Sequence, residues 1–508
     1  MNRSTISLAG AVAALVVLTG AASLTGGNDS SAAPAGSAAR LPVQRSTLLC
    51  PAPSTSEFAT TTYTSFTPQG TAAASTPGSG STPGATPGAA SGSGSDTAGR
   101  ATLLPATPKA KPLTPLTATG KPVTTTTDKT DAPALIGGAD GPLAPGWTVQ
   151  QSTVVDSGAG RGLLGTSCLV PDSEFWLPGA STAGGRQDYL HLVNPDEAPA
   201  VVDVQLYGKN GLLKASTGDG ITVPGNSSEP VLLSTLVVDK EQDLTVHVVA
   251  RSGRVGAAVQ ATDPGKGADW LPAAADPATS LVMPGIPADA TDVRLIAFTT
   301  GSNDADLTLK LATSTGPITP AGHETLHVKS GMTTAVDLGD ITKGDAGSLI
   351  LGSSTVHSAE PVVAALRITR GKGSSQELAF LPSTAPVGTR STVADNRAKG
   401  STLALTAPGA AASVKITSSA GSSGGTARTS TVTVKAGATL SLAAPQPDGG
   451  KGVFAVTVQT LSGGPVYASR TLALPQGGVQ MFTIQPMPDD RGLVAVPDAG
   501  PDLRILNR

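Results

Sequence analysis

The sequence predicts an all-β protein: tandem immunoglobulin-like β-sandwich units after an N-terminal hydrophobic signal or anchor helix, with one disordered linker. Three observations predict it. Runs of four to eight residues rich in Val, Thr and Leu alternate apolar with polar side chains and end at Gly, Pro, Asn or Asp, the pattern of half-buried antiparallel strands. An apolar residue beside a proline recurs at Trp176-Leu177-Pro178, Trp270-Leu271-Pro272, Phe380-Leu381-Pro382 and, degraded, Ile484-Gln485-Pro486, with proline-to-proline steps of 94, 110 and 104 residues. Self-similarity at such a period marks an array of like domains. No stretch beyond the N-terminus holds a 3.6-residue period for three turns, which excludes a helical fold.

At the N-terminus, Arg3 precedes an uncharged, mostly apolar run at 6–24, which predicts a signal peptide or a transmembrane anchor within residues 1–27. The small residues Gly20 and Ala22 suit cleavage. The 19-residue length, with no other apolar run of spanning size, suits a single anchor and tips the reading that way. Either way the bulk of the chain is extracytoplasmic, and no cysteine directly follows the run, which argues against a lipoprotein. The two cysteines, Cys50 and Cys168, then predict one disulfide over two unrelated buried thiols. Closing so long a loop stabilises the fold by about 4–5 kcal/mol in the chain-entropy model.

Residues 41–174 read as an incomplete β unit. Strand-like sequence from Arg45 to Phe66 and again in GWTVQQSTVV flanks a Gly/Ser/Thr/Pro-rich segment at 68–132, which buries too little apolar surface to order itself. Three full units follow, at 175–278, 279–388 and 389–508. Each opens with a strand (DYLHLVNP, DVRLIAF, STLALTAP). It continues through an alternating one (VVDVQLYG, DLTLKLAT, SVKITSS), a third running into a turn (GITVPGNS, TLHVKSGMT, TVTVKAGAT) and a fourth (DLTVHVVA, GSLILG, VFAVTVQT). A Gly- or Pro-led strand closes it. Several strands per hundred residues or so match sandwiches of immunoglobulin size.

Net charge is −3, so the chain lacks the basic face that nucleic acid requires. Aromatics are 3% of residues, little material for sugar-stacking platforms. One segment looks like chemistry. His323-Glu324-Thr325-Leu326-His327 matches H-E-x-x-H, in which two histidines on one helical face hold zinc and the glutamate serves as base. The repeat argues against a metal there. Thr325 to Gly331 (TLHVKSG) lines up with Thr431 to Gly437 (TVTVKAG), placing His327 opposite Thr433 on a strand, where residues four apart stand about 13 Å from one another. No third ligand stands at a recognisable spacing. His191 and His247 fall on strands as structural or surface groups. Asn303, Asp304 and Asp306 fall short of a calcium loop and read as a polar hairpin. Trp176 and Trp270 take corresponding places near unit junctions, as packing residues. No G-x-S-x-G, P-loop or dinucleotide fingerprint occurs. The expected catalytic, cofactor and metal residues are therefore none.

The assembled pattern resembles an uncharacterised actinobacterial family of secreted or membrane-anchored proteins, the domain of unknown function 5719. The likeness runs through LLCPAPS at 48, GWTVQQ at 146, GRGLLGTSC at 160, FWLPGAS at 175, SSEPVLLSTL at 227, SGRVGAAVQA at 252, TPAGHETLHVKSGM at 319, PVVAALR at 361 and DDRG at 489. It implies an envelope-associated protein with both cysteines in matching positions, and it brings no activity, substrate or functional residue. The expectation is thus a non-enzymatic extracytoplasmic scaffold or interaction protein of the cell envelope. It would be held at the membrane by an uncleaved N-terminal segment or secreted, and would meet an envelope glycan or protein partner through loops at the sandwich ends. The alternatives are a zinc-dependent hydrolase using residues 323–327 and a carbohydrate-binding module array.

Overall fold

The alternation seen in the sequence becomes strands with one face buried. In Ala200–Gly208 every second residue is buried, and Val202, Val204 and Leu206 enter the core while Asp203, Gln205 and Tyr207 face outward. A period of two on a pleated strand forces this result, and each buried Val or Leu contributes about 1.5–3 kcal/mol. The computed structural model describes residues 39–70, 99–107, 111–354 and 359–496. The signal or anchor segment at 1–27 lies outside the described residues. Among those residues no helix is long and apolar enough to cross a membrane.

The described residues fold into four β-sandwiches, I to IV, sharing one strand order. In sandwich II one sheet runs Ile221–Val223, Ala200–Gly208, Leu244–Ser252, Glu174–Ala180, and the other Ser227–Leu232, Gln187–Asn194, Gly256–Asp263, Gly267–Pro272. Sandwich III repeats this as Thr325–Val328, Ala305–Ala312, Gly347–Ser353, Ser280–Ile286 against Thr333–Gly339, Ala290–Thr299, Val362–Arg370, Glu377–Pro382. Sandwich IV repeats it as Arg428–Val434, Ala412–Ser418, Phe454–Gly463, Ser391–Asn396 against Ala438–Ala443, Ser401–Ala407, Tyr467–Ala473, Phe482–Pro486. Pairing is antiparallel throughout.

Sandwich I, read from the sequence as incomplete, holds both sheets. They are Ala101–Pro105, Leu135–Asp140, Arg45–Cys50 and Val123–Thr127, Ala59–Phe66, Thr148–Val155, Gly162–Ser167. Among the described residues, the short outer strand of the first sheet is reduced to a bridge between Ala101 and Leu116. The linker assigned to 68–132 is corrected accordingly, because two of these strands fall inside it; residues 71–98 lie outside the described residues. Composition misled because few anchors suffice when the backbone pairs. Leu103 and Leu116 are buried, Leu116 exchanges hydrogen bonds with Ala101, and the β-branched run Val123–Thr127 zips onto Ala59–Phe66. Cys50, ending the opening strand, and Cys168, just past the last strand, form the disulfide across 118 residues.

The proline marks also need correction. Pro272, Pro382 and Pro486 stand at equivalent places in last strands, opposite Ala258, Ala365 and Ser469. Trp176-Leu177-Pro178 instead belongs to the opening strand of sandwich II, where Glu174–Ala180 (EFWLPGA) matches Ser280–Ile286 (SLVMPGI) of sandwich III. Trp176 and Trp270 therefore do not correspond. Pro272 ends its strand, whereas Pro178 stands inside Glu174–Ala180 beside the register shift at Gly179; strand ends and bulges are the places where a missing N–H is tolerated.

The sandwiches lie within one compact unit, Pro42–Leu493. In addition to the sandwich sheets, a two-stranded ribbon pairs Ala39–Pro42 with Leu493–Val496. Within the large unit the four last strands pack in a closed circuit, I on II, II on III, III on IV, and IV on I. Apolar side chains make each seam. Trp270 and Ala268 pack on Ala59, Val155 and Leu164 of sandwich I. Leu378 and Phe380 of III enter the core of II, and Phe482 and Ile484 of IV enter the core of III. Leu163 of I packs on Leu472, Val479 and Met481 of IV, completing the circuit.

Candidate functional site

Where the last strands meet, the packing turns polar. The fully buried Asp269 carboxylate accepts the Gly165 amide at 3.0 Å, and the Thr483 hydroxyl lies 3.2 Å from its other oxygen. Sandwiches I, II and IV thus share one hydrogen-bonded knot. Gly165 is required by proximity, since a Cβ there would come within 2.4 Å of the Thr483 side chain. Nearby, Glu377 of sandwich III accepts the Leu163 amide at 3.2 Å and lies 3.9 Å from the Arg161 guanidinium. Burial pushes the Glu377 carboxyl up to about 8 against the pull of Arg161, and burial likewise holds Asp269 well above the usual carboxylate range.

Gly165 also lines a cavity of about 700 Å³, within the size range of ligand sites. The cavity is built by the connectors that follow each last strand. Residues 168–173 come from sandwich I, 273–277 from II, 383–385 from III and 486–491 from IV. Five carboxylates line it, Asp172, Glu174, Asp276, Asp489 and Asp490, against one arginine, Arg491. Asp490 is neutralised by Arg390 at 2.5 Å, and Glu174 accepts from His247 at 2.8 Å and from the Trp176 indole at 3.1 Å. Asp172, Asp276 and Asp489 have no ion-pair partner among the described residues.

Two lining side chains are buried with polar atoms left over. Ser383 is 1% exposed and its hydroxyl has no partner; Gln485 is 2% exposed and its Nε2 has none. An unsatisfied buried donor costs about 1–3 kcal/mol, so such groups call for an explanation. One wall is aromatic. The Trp176 ring stacks on His247 at 3.7 Å and on Phe298 of sandwich III at 5.3 Å.

Of the residues singled out from sequence, Trp176 and Cys168 line the cavity, and the histidines and the Asn303–Asp306 cluster lie elsewhere. His323 is in a turn and His327 on the strand Thr325–Val328, so the two never share a helical face. His327 instead sits between Asp306 at 2.8 Å and Asp304 at 3.2 Å, which hold its ring above its ordinary pKa, while Glu324 accepts the Gly322 amide. Both imidazole nitrogens are thereby engaged, and among the described residues no group of three or more His, Cys, Asp or Glu is arranged to hold a metal ion. Asn303 donates to Glu360 at 2.7 Å and Asp304 accepts the Ser330 amide, a hairpin network. His191 is buried edge-on to Trp270, and burial lowers it to about 4. His247 donates to Glu174 on the cavity's wall, and burial lowers it against the pull of Glu174.

Sequence reasoning missed the cavity residues because they sit on connectors. One signal was present. At the place of Gln485 the sister motifs carry Leu271 and Leu381, so IQP departs from WLP and FLP by putting a polar group where the array buries leucine.

A family model described as a family of unknown function, DUF5719, matches residues 123–445, from the fourth strand of sandwich I into sandwich IV. No curated protein matches the chain.

Proposed function

The chain belongs to DUF5719, and from that premise we propose that it is a non-enzymatic, extracytoplasmic scaffold or interaction protein of the cell envelope. The four units are read as immunoglobulin-like sandwiches whose circuit frames one binding cavity. The observation that carries the reading is that cavity. All four sandwiches supply its walls, and three of its carboxylates, Asp172, Asp276 and Asp489, have no ion-pair partner among the described residues. A rigid β frame that presents connectors is a common way to build a recognition site. The extracytoplasmic placement is supported by the apolar run at 6–24 and by the Cys50–Cys168 disulfide, since such bonds persist in oxidising compartments. No nucleophile–base pair or metal cluster stands among the groups described around the cavity, so recognition rather than chemistry is the role proposed. The zinc-hydrolase alternative gains no support, with its histidines placed on a turn and a strand.

The test is cell fractionation followed by cross-linking capture from the envelope with wild type and an Asp172→Asn/Asp276→Asn variant. A partner enriched by wild type and depleted by the variant supports the reading. Recovery of the protein from the cytoplasm, or capture equal with both chains, refutes it.

A further inference from the structure

We infer that the cavity takes a cationic polypeptide segment, an extended stretch bearing lysine or arginine side chains. The inference rests on the cavity being the place where the protein binds. Charge sets the sign of the ligand: Asp172, Asp276 and Asp489 line the cavity without ion-pair partners, and Arg491 is the sole cation on the wall. A cleft lined by one sign of charge concentrates the opposite sign, and an anionic ligand would face repulsion on every side but one.

The make-up of the walls sets the rest. Carboxylates call for cations, and the apolar side chains between them call for apolar stems. A peptide bearing lysine or arginine supplies both at once, with ammonium or guanidinium groups at the ends of flexible stems. Those apolar stems find Trp176, Phe175 and Met487 on the walls. An uncharged glycan would leave the carboxylates unmatched.

The experiment titrates the folded, disulfide-bonded chain with tetralysine, tetraglutamate and chitotetraose, followed by calorimetry and by the fluorescence of Trp147 and Trp176, which both line the cavity. Tetralysine is expected to bind, more weakly as salt is raised, with the other two showing no saturable signal. Asp172→Asn/Asp276→Asn alters two exposed side chains and leaves the core intact, and should weaken tetralysine about tenfold. Equal binding of all three probes, or tetralysine affinity unchanged in the double variant, overturns the inference. If tetralysine fails while envelope capture still depends on Asp172 and Asp276, the ligand class is wrong and the scaffold reading stands; if both fail, both fall.

Discussion

Replacing Glu377 by Gln should flatten the alkaline side of the stability profile. The Glu377 side chain is wholly buried, with one oxygen on the Leu163 amide and the other 3.9 Å from Arg161. Arg161 is already committed to the carbonyls of Ser374 at 3.1 Å and Gln376 at 2.8 Å, so it neutralises the carboxylate poorly. Burial therefore raises the carboxyl from its ordinary value of 4.5 to about 8. A carboxyl raised in the fold binds its proton more tightly when native than when unfolded. Its stabilising effect is complete below pH 4.5 and is lost as pH rises towards 8. At about 1.4 kcal/mol per pH unit that window amounts to about 5 kcal/mol. Glutamine keeps the acceptor for Leu163, stays neutral, and leaves Arg161 its two carbonyls. The assay is urea unfolding of both chains from pH 4.5 to 9, followed by tryptophan fluorescence. The gap between the variant and wild-type curves should move in the variant's favour by several kcal/mol between pH 5 and 8. Curves that stay parallel across that range would refute the assignment of a neutral, buried carboxyl at the circuit.

Three further outcomes are expected. Cys50→Ser/Cys168→Ser removes a 118-residue cross-link and should lower stability by about 4–5 kcal/mol, read as a fall in the urea midpoint, with sandwich I losing protection in hydrogen exchange. His191 is held neutral, lowered from 6.5 to about 4, so its contribution is present above pH 6.5 and lost as pH falls towards 4; His191→Phe should reduce the acid-side loss by about 3 kcal/mol in the same titration. Gly165→Ala drives a methyl group against Thr483 and should cost about 1–3 kcal/mol, with exchange protection falling first in Gly162–Ser167 and Phe482–Pro486.

The strands were largely legible because a sandwich strand announces itself locally. Ala200–Gly208 and Ala412–Ser418 alternate without a break, and the alignment of TLHV with TVTV correctly made Thr325–Val328 and Arg428–Val434 sister strands, each at the outer edge of its sheet. Position within a unit was less legible. The opening strand Glu174–Ala180 and the last strand Gly267–Pro272 both carry Trp-Leu-Pro, and no local signal says which end of a sandwich such a strand occupies. The circuit was not legible at all. Gly165, Asp269 and Thr483 are separated by 104 and 214 residues and touch only because four units close on one another.

That closure decides where recognition can arise. Each sandwich ends in a last strand and a short connector, and the cavity takes lining residues from all four connectors. Seating Leu163 against Leu472 and Met481 joins the first unit to the fourth, and only then do Asp172, Asp276, Ser383 and Asp489 face a common space. The departures from the repeat gather at the same place. Gly165 makes room for Thr483, Asp269 ties three units together, and Gln485 stands where the sister units bury leucine. Each departure weakens its own sandwich, through a missing side chain, a buried carboxyl or an unpaired amide, at about 1–3 kcal/mol for the unpaired amide alone. Three positions that break the repeat thus meet at the junction of the units, as expected when a shared site rather than the stability of any one unit has shaped them.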